Sequence, residues 1–163
     1  MLRAGSPVGS RGVGGLTVIM ANITFDRFHN CFVLIQNQHA ATDAEWGDWI
    51  EFVTKGAPKA ANATRVLVFS AGGSPTAKQR ALIHELMPKT GNGAPTAVVT
   101  ASLVGRTVVG AMSLFNKNVA AFSPKDCAGA FRYLGIATSA QRELLEFSRN
   151  LHKRIELPFE GVL

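Results

Sequence analysis

Short β-branched or aromatic runs alternate along the chain with longer stretches at helical spacing. Residues 22–28 and 31–36 read as two strands, and His29-Asn30 between them suits a tight hairpin turn. Thr42-Asp-Ala-Glu45 predicts a capping box: the Thr42 hydroxyl accepts from the Glu45 backbone N–H, and the carboxylate reaches back. Trp46, Trp49, Ile50 and Val53 follow on one face of a helix. Gly56, Pro58 and an Ala/Asn stretch make a loop before a buried-type strand at 65–70, Arg-Val-Leu-Val-Phe-Ser. Gly72 and Gly73 turn the chain, Ser74 is placed as N-cap and Pro75 at the first helical position. The helix then runs to Met87, with Leu82, Ile83 and Leu86 as its buried side, and ends at Pro88 and the Gly91–Pro95 breaker.

The second half repeats the alternation. Thr96 to Thr100 reads as a β-branched strand, and Val104, Val108, Ala111, Met112 and Phe115 keep helical spacing. A short strand at 118–122 leads to Ser123-Pro-Lys-Asp126, which opens a helix with Cys127, Ala130, Phe131 and Leu134 on its apolar face and Gly135 at C′. Thr138-Ser-Ala-Gln141 predicts a second capping box before a final helix carrying Leu144, Leu145, Leu151 and Ile155. The order is ββα, βα, βα, βα and a last α. It implies right-handed crossovers and a mainly parallel, mixed five-stranded α/β sheet with an N-terminal hairpin and about five helices. Trp46, Trp49, Val66, Val68, Val98, Phe115, Phe131 and Leu145 are the expected core. Residues 157–163 read as a loose C-terminal tail.

Composition fits one globular domain: 163 residues, 47% hydrophobic and 17% charged. Residues 1–19 differ, being rich in glycine with almost nothing to bury, and are expected to form a disordered extension ahead of a domain over 20–156. Arg3 and Arg11 resemble the basic region of a signal peptide, but the apolar part is weak and no good cleavage site follows. No apolar run reaches the length of a membrane span. The net charge of +6 is spread out, and Arg142, Arg149, Lys153 and Arg154 share the last helix with Glu143 and Glu146. That pattern is a solvated helix face and argues against a nucleic-acid partner. Cys31 and Cys127 lack CxxC partners and read as buried free thiols of a cytoplasmic protein.

No catalytic signature stands out. The glycine turn matches neither a P-loop nor G-x-G-x-x-G, and Ser74 lies outside a G-x-S-x-G elbow with no marked His–Asp pair to activate it. His29, His39, His84 and His152 have no metal-ligand spacing. Asp43, Glu45, Asp48 and Glu51 suit the N-terminal half of a helix by its dipole. No cofactor, metal or catalytic residue is expected. The candidate binding or regulatory residues are Gly72, Gly73, Ser74 and Thr76 at the strand-to-helix junction, with Arg106 placed on the same rim to hold an anion.

Val66-Leu-Val-Phe69, Gly72-Gly73 with Gln79-Arg80, Ala97-Val-Val-Thr100, residues 108–115, Ala121-Phe-Ser-Pro124 and Ala130-Phe-Arg-Tyr-Leu-Gly135 together resemble the STAS-like, or anti-sigma-factor-antagonist-like, domains of bacteria. The resemblance spans residues 20 to about 155. It implies a STAS-like sandwich and a non-enzymatic protein-interaction module in bacterial signalling or assembly, whose partner is another protein. A homo-oligomer is compatible with it. In phosphorylated members, Asp-Ser-[Ser/Thr]-Gly opens the second helix. Here Ala71-Gly-Gly-Ser74-Pro-Thr76 lacks the aspartate, so Ser74 matches by position only. The competing reading is a domain that holds a small anionic or apolar ligand at the strand-end rim near Ser74 and Arg106. An interaction module predicts a flat or convex rim, and a ligand domain a concave pocket.

Overall fold

The computed structural model describes residues 21–57, 64–90, 94–115 and 117–163, with the side chains of 84, 86–90, 112, 114 and 115 also outside the description. The extension expected over residues 1–19 lies outside the described residues. The elements are β1 (Ile23–Phe28), β2 (Cys31–Gln36), α1 (Asp43–Gly56), β3 (Arg65–Ser70), α2 (Ala77–Thr90), β4 (Thr96–Thr100), α3 (Leu103–Phe115), β5 (Val119–Phe122), a 3₁₀ turn (Pro124–Asp126), α4 (Cys127–Tyr133) and α5 (Thr138–Arg154).

The sheet order is β1-β2-β3-β4-β5. β1 pairs antiparallel with β2 through the two-residue turn, where His29 takes a left-handed φ of 52°. The remaining pairs are parallel. Neighbours in space are neighbours in sequence, so right-handed crossovers put α1, α2 and α3 on one face. α4 packs on β4 and β5, and α5 on β1 and β2, on the opposite face. The period of two along each strand separates two apolar layers. Cys31, Val33, Ile35, Leu67, Phe69, Ala97 and Val99 meet α4 and α5, where Phe131, Leu144 and Leu151 are fully buried. Phe32 and Leu34 face Trp46 and Trp49 of α1.

Several local signals act as the sequence predicts. Thr42 and Glu45 form the capping box, and Glu45 also accepts from Asn22 N at 2.7 Å, tying α1 to the start of β1. Burial pushes the Glu45 carboxyl up, but the bonds from Thr42 and Asn22 outweigh it and hold the group below its ordinary value. Trp46, Trp49, Phe131 and Leu145 are buried as expected, and both cysteines are buried and free. Val66, Val68 and Val98 are only half-buried, and the Phe115 side chain lies outside the description.

Four expectations are corrected. α2 begins at Ala77, not Pro75, because Thr76 and Gln79 form the cap: Gln79 N donates to Thr76 Oγ1 at 3.3 Å and Thr76 N to Gln79 Oε1 at 3.0 Å. Within α2, Leu82 is exposed and Ile83 turns inward. The predicted apolar face of α3 is rotated: Val109 is buried, while Val104 and Ala111 are exposed. Thr138 does not cap α5; Ala137 occupies the cap position, and the Gln141 amide donates to Ile136 O at 3.2 Å instead.

The C-terminal segment is likewise no loose tail. Cys127 N donates to Val162 O at 3.2 Å and Val162 N to Pro124 O at 3.0 Å. Phe159 meets the His152 ring edge-on and the Phe69 ring at a tilt, under the Arg149 guanidinium. Among the described residues no helix is long and apolar enough to cross a membrane.

Candidate functional site

The glycine junction is built from backbone necessity. Gly72 has φ +126°, a region side chains avoid. Gly73 N donates to Asn37 O at 2.9 Å, and a Cβ on Gly73 would collide with the Asn37 and His39 carbonyl oxygens. Ser70 completes the turn: its hydroxyl accepts from Gly72 N at 3.1 Å and donates to Gly73 O at 2.7 Å. The loop after β3 is thereby pinned across the end of β2. Residues 74–76 then cross to α2, whose start is tied to α1. The buried Gln79 amide donates to Ala41 O at 2.8 Å, and Lys78 pairs with Asp43 at 2.6 Å. The Asp43 carboxyl is held low by its bonds to Lys78 and Gln79.

Beneath this junction the sheet and its three crossover helices stand apart. A cavity of about 200 Å³ runs between Val66, Val68 and Val98 on the sheet, Trp46, Trp49 and Val53 on α1, Ile83 on α2, and Val108 and Val109 on α3. Those three half-buried valines line the cavity, and Val66 and Val68 also pack against the Trp46 and Trp49 cluster. Gly73, Ser74 and Pro75 form its edge at the carboxyl ends of the strands, together with Gln36, Ser70, Thr100 and Gly105. Such strand ends are the usual ligand crevice of open α/β sheets.

Among the described residues no charged one lines the cavity. At its rim Gln36, Ser70 and Thr100 are engaged locally, whereas the Ser74 hydroxyl has no hydrogen-bond partner among the described residues. Gln36 Nε2 donates to His39 O at 3.2 Å, and Thr100 Oγ1 accepts from Ser102 N at 3.1 Å. Two lining residues carry buried polar atoms without a partner among the described residues, the Trp46 indole N–H and the Thr64 hydroxyl. Each such group costs roughly 1–3 kcal/mol when left unmade.

Of the predicted residues, Gly73 and Ser74 come together at the cavity edge. Gly72 shapes the turn, and Thr76 is an exposed cap. Arg106 is exposed on α3 and is not part of the lining, so the anion site placed there is not assembled around the cavity. Sequence reasoning treated Trp46 and Trp49 as core packing and passed over Thr64 and Thr100. A signal was available in Thr96-Ala-Val-Val-Thr100, whose inward face carries Thr96, Val98 and Thr100. Small and polar side chains there fill less space than a packed layer needs. Among the described residues no cluster of histidine, cysteine and carboxylate side chains is arranged to hold a metal ion. No protein-family model, curated protein or solved structure matches the chain.

Proposed function

We propose that the chain is a non-enzymatic STAS-like domain that binds a small, uncharged, apolar ligand between its sheet and α1, α2 and α3. The carrying observation is the concave cavity, whose described lining residues are apolar or uncharged. A flat rim was the mark of a pure interaction module, and the site is concave instead. Arg106, the cation expected to hold an anion, is not among the lining residues, so an anionic ligand has no support from it. An apolar cavity of ~150 Å³ admits benzene, so this one suits one aromatic ring with a short substituent, or roughly ten carbons. The order of elements and the mixed sheet support the STAS-like kinship, and two buried thiols suit a reducing compartment such as the cytoplasm.

The chain's two tryptophans both line the cavity, which supplies the test. Titration with small neutral compounds such as indole-free alkylbenzenes should change tryptophan emission saturably. Val98→Phe should fill the space and abolish the change while the fold, followed by circular dichroism, persists. Emission that never saturates in the wild type, or saturates equally in Val98→Phe, rules this reading out.

A second reading, a protein-interaction module in bacterial signalling or assembly, is favoured by one feature. Leu103 and Val104 are 74% and 72% exposed on α3 beside the cavity edge. It expects Leu103→Asp to abolish capture of a partner protein while ligand binding in the cavity is retained.

A further inference from the structure

The opposite face of the sheet carries a second cleft, of about 330 Å³, also at the carboxyl ends of the strands. Its floor is Phe69, Ala71 and Val99, and it is closed by Leu157 and Pro158 of the C-terminal segment. His152 of α5 lines it and is only 6% exposed. Its ring is held edge-on between Phe69, at 5.2 Å, and Phe159, at 4.8 Å.

The hydrogen-bond chemistry of that ring is determined. Nδ1 lies 2.7 Å from Ser148 O, one turn back on the same helix. A carbonyl only accepts, so Nδ1 carries the proton. Nε2, the other ring nitrogen, then presents a lone pair in the neutral imidazole. It has no hydrogen-bond partner among the described residues. Burial keeps the ring in this neutral form, only partly offset by the bond to Ser148. The result is an acceptor with no donor bonded to it among the described residues, in a cleft where Phe69, Val99 and Leu157 stand beside the polar Gln38, Ser70 and Ser102.

We propose that this cleft is a ligand site for a small neutral molecule bearing a hydroxyl on an apolar body, of the phenol class. Its O–H donates to His152 Nε2, and its ring packs on Phe69 and Val99. Two charged groups lie nearby: Glu160, which lines the cleft, and Arg149, whose guanidinium is 5.2 Å from the Phe159 ring. Glu160 offers a cationic ligand an alternative anchor, so the test separates the two. The site lies across the sheet from the cavity under α1, α2 and α3, with Ser70 at the edge of both.

The experiment is calorimetric titration of the full chain with phenol, anisole and benzylamine, with ¹⁵N-histidine spectra of the same samples. Phenol should bind about tenfold more tightly than anisole, which keeps the ring and loses the donor. Phenol should also shift the His152 Nε2 resonance. His152→Phe, which preserves the ring packing, should remove the discrimination between phenol and anisole. Should that variant fold poorly, the wild-type phenol-to-anisole ratio and the Nε2 shift still decide the matter. Equal binding of phenol and anisole, binding of neither, or an unmoved Nε2 resonance overturns the proposal. Preference for benzylamine that Glu160→Gln abolishes overturns it in favour of a cation site.

Discussion

At the start of α2 the Thr76 hydroxyl accepts from Gln79 N, while among the described residues nothing hydrogen-bonds the Ser74 hydroxyl. Two hydroxyls two positions apart therefore differ in their expected effect on stability. Thr76→Ala should cost about 0.5–2 kcal/mol, the usual loss of an N-cap. Ser74→Ala should stay within about 0.5 kcal/mol. Urea unfolding of both variants checks this, and a larger loss at Ser74 would restore it as the cap. His152 gives a second expectation at this scale. Burial lowers its folded pKa below the 6.5 of the unfolded side chain. Between those two values the unfolded chain binds more protons, so stability falls as pH drops below about 6.5. Melting temperature should thus decrease between pH 7.5 and 5.5, above the ordinary carboxylate range. His152→Phe, which cannot be protonated, should flatten that dependence. An equal slope in both proteins would place the titrating group elsewhere.

Among the elements, the strands and the hairpin were legible because β-branched runs and a two-residue turn carry their information locally. The same holds for the Thr42 box, where cap, acidic partner and apolar stripe agree. Helix starts were misread where two local signals competed. Ser74-Pro75 is a good helix opening in isolation, but Gly73 is drawn back to Asn37, which leaves residues 74–76 outside the helix and passes the cap to Thr76. At α5 the buried Gln141 amide donates to Ile136 O at 3.2 Å, and no side-chain bond caps the helix. The C-terminal segment was illegible for a different reason: its anchors are long-range. Gly161 sits against Cys127, where an added Cβ would come within 3.0 Å of Sγ. Burial, reinforced by Asp126, pushes the Cys127 thiol up to about 11 despite the Val162 backbone, and burial pushes Cys31 up to about 12. Neither thiol should react readily with a maleimide at pH 7.5 in the native chain. Removing residues 158–163 should expose Cys127 and leave Cys31 protected. Labelling followed by mass spectrometry tests it, and equal protection of both thiols after truncation would mean the segment covers nothing.

The two faces of the sheet look alike in sequence and differ in packing. Leu67 and Val68 are consecutive on β3, in one buried-type run of which Val68 was the expected core residue. Leu67 is fully buried against α4 and α5, whereas Val68 borders the cavity. Alternation along a strand specifies which side chains face inward, but not whether a helix or a void meets them. That depends on how closely α1, α2 and α3 approach, which no local pattern encodes. The difference is measurable. Leu67→Ala opens a new void in a close-packed layer and should cost about 2–5 kcal/mol. Val68→Ala only enlarges an existing one, so its cost should stay within about 1 kcal/mol. Val68→Leu adds a methylene toward free space, and should be neutral or raise stability by up to about 2 kcal/mol. In a packed layer the same change forces strain and costs about 1–3 kcal/mol. Urea unfolding of the three variants thus distinguishes a cavity from a core. A destabilised Val68→Leu, with Val68→Ala as damaging as Leu67→Ala, would close the cavity and remove the ground for a ligand on that face.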